Sequence, residues 1–200
     1  MEPARQMVGQ HPRCLAACAG LVALCGCGMG ELDNYAPLTL FDNFRVIADD
    51  RAYRSAQLDA ESLRLVFDTY GIKTVINLRG ENEDALWYRN EQAAAAEAGV
   101  RLVDVRMSAG SLPSREALLL LYDTYQTAEY PILIHCQSGA DRTGAAAAIW
   151  RMAVAGESRE VARQELSPLY GHFAGRYPAM DELVRVFEPD REWIANAYTP

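Results

Sequence analysis

The stretch HCQSGADRTG, residues 135–144, contains a cysteine and an arginine with five residues between them, Cys136 and Arg142. It follows the apolar run YPILI and precedes the Ala-rich run AAAAIWRMAV, so a loop between a strand and a helix is predicted here. The N–H groups of a tight loop and the positive end of the next helix both bind anions and stabilise a thiolate. We therefore expect Cys136 to act as a nucleophile at neutral pH.

The other residues of the loop fit a tetrahedral anion held above the sulfur. The planar guanidinium of Arg142 can contact two oxygens of one phosphate group, and the hydroxyl of Thr143 can donate to the thiolate. Gly139 lets the backbone turn, and we expect Gly144 to permit close packing of the helix against a strand. The residues assigned to substrate binding are Gln137, Ser138, Gly139, Ala140 and Thr143.

The remainder of the chain predicts an α/β fold that places the loop at one edge of a sheet. Strand-like and helical segments alternate, which is typical of a mostly parallel sheet, here of about four to five strands, flanked by helices in a single domain. In such sheets ligands bind beyond the carboxyl ends of the strands, where Cys136 lies. We predict a hairpin at 44–55, strands at 72–78, 100–107 and 131–136, helices at 59–71, 83–98, 114–126, 143–155 and 158–166, and one or two more after Pro178.

The amino terminus has the pattern of an export signal. Residues 1–13 carry two arginines, and residues 14–26 form an uncharged apolar run. This run is shorter than the about 20 residues of a membrane span, but it fits the core of a signal peptide. A plain secretory signal or a buried first helix would give a similar pattern.

The apolar run ends in Leu-Cys-Gly-Cys, which resembles a bacterial lipobox with Cys27 as the lipidated residue. We expect a signal peptide over 1–26, a tether over 27–43 and the catalytic domain over 44–200. The chain would then be a membrane-anchored lipoprotein of the cell envelope that faces the periplasm, or would otherwise be secreted. Of its five cysteines only Cys136 would remain as a free thiol, which suits an oxidising compartment.

The overall charge limits the classes of partner. A formal net charge of -8 argues against nucleic acid as a partner. It does not exclude a local positive site for an anionic substrate, because the field of a site and the net charge are separate quantities. The three histidines, at positions 11, 135 and 172, form no metal-binding pattern, so neither a metal nor another cofactor is expected.

The cysteine and arginine also carry a family resemblance. Cys136, the five residues that follow it, Arg142 and Thr143 resemble the Cys-x5-Arg-Ser/Thr signature of the protein tyrosine and dual-specificity phosphatase superfamily. His135 before the cysteine and Gly139 inside the loop match the same signature. The resemblance is specific because residue types, spacing and position after a strand agree.

The resemblance extends beyond the loop to about residues 44–170. The segments YRSAQ at 53–57 and GIKTVINLRGE at 71–81 occur in the order found in bacterial dual-specificity-like phosphatases. The resemblance implies that Cys136 attacks phosphorus, forms a phosphocysteine and is released by water, without a metal ion. It also implies that Arg142 and the loop N–H groups stabilise the transition state.

Two aspartates are candidates for the general acid that protonates the leaving oxygen. Asp104 lies 32 residues before Cys136, a spacing similar to that of dual-specificity enzymes, but it falls inside the strand-like RLVDVRM, and the segment at 108–114 contains no carboxylate. Asp141 lies inside the signature, as in phosphatases of the Asp-Arg-Thr type, and is favoured. Asp141 could instead cap the helix, and Asp104 could be a solvated strand residue.

Alternatives remain open. A rhodanese-like sulfurtransferase also uses a loop cysteine, but typically with four residues before the arginine, and a catalytically silent phosphate-binding module would not need both Cys136 and Arg142. The loop has no Lys and no Arg between these two residues, which favours a phosphorylated protein or a small phosphomonoester over polyanionic head groups. Arg79 and Arg106 could assist substrate binding, although ordinary surface positions are expected for both. His135 is expected to be a buried, hydrogen-bonded support.

Overall fold

The computed structural model describes residues 42–200. The predicted signal peptide, Cys27 and most of the tether lie outside the described residues. Within them, five strands form one sheet in the order β1-β2-β5-β3-β4, and only the β1–β2 pair is antiparallel. The α/β fold with a mostly parallel sheet flanked by helices is therefore confirmed. The strands are β1 (Arg45–Ala48), β2 (Ala52–Ser55), β3 (Thr74–Asn77), β4 (Arg101–Asp104) and β5 (Ile132–His135).

Seven α-helices follow or separate the strands in the described part of the chain. None of them is long and apolar enough to cross a membrane. Two short 3-10 turns, Arg163–Glu165 and Pro168–Tyr170, lie between α5 and α6. The helices are α1 (Ala60–Tyr70), α2 (Leu86–Ala98), α3 (Arg115–Thr127), α4 (Asp141–Ala153), α5 (Arg159–Ala162), α6 (Pro178–Val186) and α7 (Arg191–Asn196).

Strand β5 is the centre of the sheet. It pairs in parallel with β2 on one side and with β3 on the other, and all four of its residues are buried. A strand covered on both faces reads as a continuous apolar run, as PILI does here. The strand ends at His135, so Cys136 lies at its carboxyl end, where the sequence places it.

The two faces of the sheet carry separate apolar clusters, as the period of two along a strand requires. Leu133 and Val75 pack with α1 and α2 on one face. Ile134 and Ile76 pack on the other face with α3, α4 and the carboxyl-terminal helices. Helix α4 contributes the buried run of alanines at 145–148, whose small side chains let it lie close to the sheet.

Local sequence signals at Asp59 and Gly71 define the two ends of α1, as predicted. The side chain of Asp59 accepts a hydrogen bond from the N–H of Ser62, and Gly71 ends the helix in the left-handed region with φ 62°. Helix α4 begins at Asp141, two residues before the predicted start at 143. This earlier start places Asp141 and Arg142 in the first turn of the helix.

The expectations for the strand that contains Asp104 and for the packing of Gly144 need correction. The strand that contains Asp104 ends at that residue rather than continuing to 107. A Cβ atom on Gly144 would lie 2.7 Å from the carbonyl oxygen of Glu165. The close approach at Gly144 is therefore made to the 3-10 turn after α5, and not to a strand.

Candidate active site

The loop between β5 and α4, residues 136–140, forms the floor of a cavity and is called the cysteine loop below. Cys136 is only 1% exposed, whereas Gln137 and Ser138 are exposed. The cavity has a volume of about 700 Å³, and its lining includes Cys136, Asp141 and Arg142. The three residues with predicted catalytic roles therefore meet at one cavity.

Gly139 is the point where the cysteine loop touches the neighbouring strand. Its φ of 69° lies in the left-handed region. A Cβ atom here would lie 2.6 Å from the nitrogen of Ala56 and 2.7 Å from the oxygen of Ser55. Both the backbone angle and the close approach to the end of β2 thus require glycine.

Arg54 supports the cysteine loop from below. It extends from β2, is fully buried, and its Nη2 donates to the carbonyl of Gly139 at 2.7 Å and to that of Ala140 at 3.4 Å. In a planar trans peptide the C=O and the following N–H point in opposite directions. The amides of Ala140 and Asp141 therefore point away from Arg54.

The amides on that side of the loop are not used by the fold. Within residues 42–200, the N–H groups from Ser138 to Thr143 donate to no backbone carbonyl. Those of Asp141, Arg142 and Thr143 are the unpaired first-turn donors that every helix has. Together they form a site for an anion at the positive end of α4.

Arg54 is itself held by a buried carboxylate. Its Nη1 donates to the carbonyl and to the carboxylate of Glu165, and its guanidinium lies 4.3 Å from the ring centre of Tyr170. Burial lowers the pKa of Arg54, while Glu165 opposes this shift and Cys136 adds a smaller opposing interaction. Because arginine remains charged in proteins, a permanent cation lies within electrostatic reach of the sulfur.

Glu165 joins two arginines. Its Oε1 accepts a hydrogen bond of 2.6 Å from Nε of Arg151, which also donates to the carbonyl of Ile47 and to Glu157. The second carboxylate oxygen faces Arg54. A chain of charges therefore runs from α4, through the turn after α5, to the underside of the cysteine loop.

Arg142 is oriented by the ends of two other strands. Its Nη1 donates to the carbonyl of Leu78, just after β3, and to that of Met107, beyond β4, both at 3.3 Å. These bonds occupy Nη1 and leave the edge formed by Nε and Nη2. That edge is the bidentate side of a guanidinium, which matches two oxygens of a phosphate group.

His135 is buried, as predicted. Its Nε2 lies 2.7 Å from Oε1 of Glu91, a buried residue of α2, and its Nδ1 lies 3.4 Å from the carbonyl oxygen of Cys136. The ring therefore stands behind the cysteine loop rather than in the cavity. This position agrees with a supporting residue.

The two candidate acids have different surroundings. Asp141 lines the cavity, and its Oδ1 lies 2.8 Å from Nδ1 of His172. It does not cap α4, since the cap position is Ala140 and no side chain bonds there. Asp104 is half-buried and accepts hydrogen bonds from Asn77 at 2.7 Å and from Tyr88 at 2.6 Å.

Asp104 is therefore not the solvated strand residue that the sequence analysis allowed. Both of its carboxylate oxygens are engaged, and it is not part of the lining of the cavity. Burial, and then the hydrogen bond to Asp104, raise the pKa of Tyr88 well above its usual value. The phenol stays protonated and keeps donating to the carboxylate.

Thr143 differs from its predicted contact. Its side chain is fully buried, and its hydroxyl has no hydrogen-bond partner within residues 42–200. The hydrogen bond from Thr143 to Cys136 is thus absent in this structure. The role of the hydroxyl toward a thiolate stays a prediction.

The cavity wall contains residues that sequence reasoning missed. Arg45 from β1 and Arg176, Tyr170 and Tyr177 from the chain before α6 line it. Arg79 and Arg106 do not line it. Arg79 lies 3.4 Å from the ring centre of Trp87 and donates to Gln57, so it is not an ordinary surface residue, whereas Arg106 is exposed.

Comparison with known proteins now identifies the family. Residues 32–174 match the family described as DSP-PTPase phosphatase fused to NAD+ kinase. The chain belongs to this family. The match includes the cysteine loop, Arg142, Arg54 of β2 and Glu165 of the turn after α5.

The curated relatives that match this chain are also described as phosphatases. The dual specificity protein phosphatase TpbA of Pseudomonas aeruginosa strain UCBPP-PA14 is 33% identical over 116 residues, which are 57% of this chain and 49% of the relative. The chain thus spans about half the length of the curated relatives it matches.

Solved structures give the same picture of the fold. P. aeruginosa TpbA, as a cysteine-to-serine variant in complex with pTyr, has a TM-score of 0.60 at 26% identity, over 78% of this chain and 92% of that one. The catalytic core of the PP-IP phosphatase SIW14 from S. cerevisiae, in complex with citrate, has a TM-score of 0.62 at 20% identity, over 75% and 88%. At that identity the second likeness concerns the fold alone.

The support of the cysteine loop by Arg54 can be tested by Arg54→Leu. We expect the free energy of unfolding to fall by about 3 kcal/mol, because Glu165 loses the fully buried one of its two arginine partners. Urea unfolding followed by circular dichroism measures this loss. The matched control is Arg64→Leu, which breaks an exposed ion pair with Glu97 and should cost less than about 1 kcal/mol. Equal losses in the two variants would contradict the support role.

Proposed function

We propose that the protein is a metal-independent phosphomonoesterase that works through a phosphocysteine on Cys136. The observation that carries the proposal is the convergence of Cys136, Arg142 and the unpaired first-turn amides on one cavity. Membership of a phosphatase family supports it over a sulfurtransferase. The intact nucleophile and arginine support an enzyme over a silent binding module.

The proposed reaction has two steps. In the first, Sγ of Cys136 attacks phosphorus opposite the leaving oxygen, the P–O bond breaks, and a proton passes to that oxygen. In the second, water attacks phosphorus, the S–P bond breaks, and the water proton returns to the acid that was used before. Arg142 and the loop amides stabilise the charge on the three equatorial oxygens in both steps.

We assign the proton transfer to Asp141. It lines the cavity with Cys136, and its hydrogen bond to His172 uses Oδ1, leaving Oδ2 for a substrate. Asp104 has both oxygens engaged by Asn77 and Tyr88. Breaking those bonds would leave polar groups of a half-buried cluster without partners, which makes Asp104 the weaker candidate.

The substrate class proposed is a phosphotyrosine with acidic groups nearby. The rings of Tyr170 and Tyr177 give the cavity an aromatic wall, and Arg45 and Arg176 add positive charge to it. No ion pair within the described residues neutralises Arg45 or Arg176. The related TpbA, which has been crystallised with pTyr, supports an aryl phosphate.

Arg45 and Arg176 give the cavity positive charge that the composition of the cysteine loop does not indicate. The absence of Lys and Arg between Cys136 and Arg142 was expected to disfavour polyanionic substrates. Positive charge instead comes from β1 and from the chain before α6, far from the loop in sequence. A second anionic group on the substrate therefore has partners in this cavity.

The nucleophile is tested by Cys136→Ser and Arg142→Lys. We expect Cys136→Ser to abolish hydrolysis of p-nitrophenyl phosphate while the fold persists, because a serine alcohol is not ionised at neutral pH. Arg142→Lys should lose at least about 10²-fold in kcat/KM, since lysine keeps the charge but not the bidentate edge. Iodoacetate should inactivate the wild type, and vanadate should protect it. Full activity in Cys136→Ser would refute the mechanism.

The wall arginines are tested by the double variant Arg45→Gln, Arg176→Gln. We expect KM for a phosphotyrosine peptide with flanking aspartates to rise by about tenfold, equivalent to about 1.4 kcal/mol. KM for p-nitrophenyl phosphate, which has no second anion, should change little. The double variant Arg64→Gln, Arg185→Gln removes the same two charges at exposed positions away from the cavity and is the charge-matched control. An equal rise for both substrates would count against a second anion site.

We also propose that residues 1–26 are removed and that Cys27 is acylated, so that the domain is attached to a membrane and faces the periplasm. The lipobox-like sequence supports this, and several acyl chains on one cysteine suffice for stable attachment. Mass spectrometry of the mature amino terminus should find a lipid-modified Cys27. Cys27→Ala should abolish the modification. A mature chain that starts elsewhere would contradict the proposal.

A further inference from the structure

A buried histidine connects the proposed acid to a second carboxylate. His172 is 2% exposed; its Nδ1 lies 2.8 Å from Oδ1 of Asp141, and its Nε2 lies 3.0 Å from Oδ2 of Asp181. The three residues come from the start of α4, from the chain between the second 3-10 turn and α6, and from the first turn of α6. One imidazole ring thus bridges two helices.

The two contacts of the His172 ring limit how many protons Asp141, His172 and Asp181 can share. A neutral imidazole has one N–H donor and one acceptor nitrogen, whereas a carboxylate only accepts. Both contacts are hydrogen bonds only if the ring carries two protons or if one of the carboxyl groups is protonated. A hydrogen bond on each side of the ring thus requires one proton more than a neutral ring between two carboxylates carries.

The hydrogen bond to His172 also fixes the direction of the Asp141 side chain. With Oδ1 bound to His172, the carboxyl group cannot rotate freely, and Oδ2 is the oxygen without a hydrogen bond on a residue that lines the cavity. His172 is in turn fixed by Asp181 and by its own N–H, which donates to the carbonyl of Ser167 at 3.1 Å. Such orientation by a bound neighbour is what an acid needs to meet one leaving oxygen.

We propose that His172, anchored by Asp181, is a positioning residue that orients Asp141 for proton transfer to the leaving oxygen. This inference rests on the proposed phosphatase function, in which Asp141 is the acid. His172 is not part of the lining of the cavity and acts only through Asp141.

Contacts other than those of His172 also hold this part of the polypeptide in place. Asn43 donates to the carbonyl of Tyr170 at 2.8 Å, and the ring of Tyr170 packs on Arg54. Met180 and Leu183 of α6 are fully buried in the cluster that contains α4. His172→Phe keeps a ring of similar size, and the two aspartates that lose their contact with the ring are partly exposed to solvent.

A metal site does not explain the cluster. Among residues 42–200, no group of three or more His, Cys, Asp or Glu side chains is arranged to hold a metal ion. Helix capping does not explain it either, since α4 and α6 lack a side-chain cap bond.

The test is the dependence of kcat on the pKa of the leaving group, measured on the full chain with a series of aryl phosphates. Asp141→Asn should slow poor leaving groups by about 10²–10⁴-fold and activated ones much less. His172→Phe should steepen the same slope, with a loss of about 10–10²-fold for poor leaving groups. The double variant should be no slower than Asp141→Asn alone, because His172 acts only through Asp141.

Rescue and control variants separate positioning from a structural role. His172→Asn keeps an N–H donor near the place of Nδ1. Its plot of log kcat against the pKa of the leaving group should therefore have a slope close to that of the wild type. Asp181→Asn should give an intermediate slope. The neighbouring, exposed Phe173→Ala and Asp104→Asn should both leave the slope unchanged. A His172→Phe variant that slows all esters equally, or adds its loss to that of Asp141→Asn, would overturn the proposal.

A second measurement does not depend on turnover. Nitrogen NMR of ¹⁵N-histidine-labelled full chain reports the protons on each ring nitrogen. Asp141→Asn should shift the Nδ1 resonance of His172, and Asp181→Asn should shift that of Nε2. If neither resonance responds, the hydrogen-bond chain is wrong whatever the activity. If the wild type hydrolyses no phosphate ester, the proposed function fails; if it does and the slopes stay parallel, only the positioning role fails.

Discussion

The site depends on one buried cation, Arg54, and on the carbonyls that it holds. A loop that binds an anion must turn its N–H groups toward the ligand, which turns its carbonyls toward the protein interior. Without donors there, the buried carbonyls would lack hydrogen bonds, at a cost of about 1–3 kcal/mol each. Arg54 supplies those donors to Gly139 and Ala140. Its own charge is balanced by Glu165, so that the orientation of the loop is built into the fold.

Neighbouring strands supply the other supports of the same loop. Gly139 touches the end of β2, His135 ends β5, and Arg142 is held by carbonyls that follow β3 and β4. Because these strands are parallel, their carboxyl ends meet at one edge of the sheet. Cys136, Arg142 and the cysteine loop are therefore positioned by the ends of strands, and helix α4 adds the first-turn amides. A displacement of any one strand would change the geometry at the sulfur.

The sequence predicted the parts of this arrangement that are local. Neighbours within a few residues predict the position of Cys136 after a strand and of Gly139 in a turn. They also predict Asp59 and Gly71 at the two ends of α1. Asp141 and His172 are 31 residues apart, and no period or spacing relates them. The role of Arg54 was missed although an arginine inside a buried strand is itself an unusual signal. The surroundings of Asp104 depend on Tyr88 of α2, which only the packing of α2 beside β4 brings near.

The residues proposed for the chemistry and those proposed for substrate selectivity come from different parts of the sequence. The nucleophile, Arg142 and the amides lie in one stretch of ten residues, 135–144. The cavity wall is formed by Arg45 of β1 and by residues that precede α6. Three arginines and one aspartate line the cavity, although the formal net charge of the chain is -8. The aspartate is bound to His172. The charge that a substrate meets is thus set by tertiary placement, since neither the net charge nor the composition of the cysteine loop indicates it. The same segment before α6 carries both Arg176 and His172, so under the roles proposed for them changes in this segment would alter substrate choice and proton transfer together.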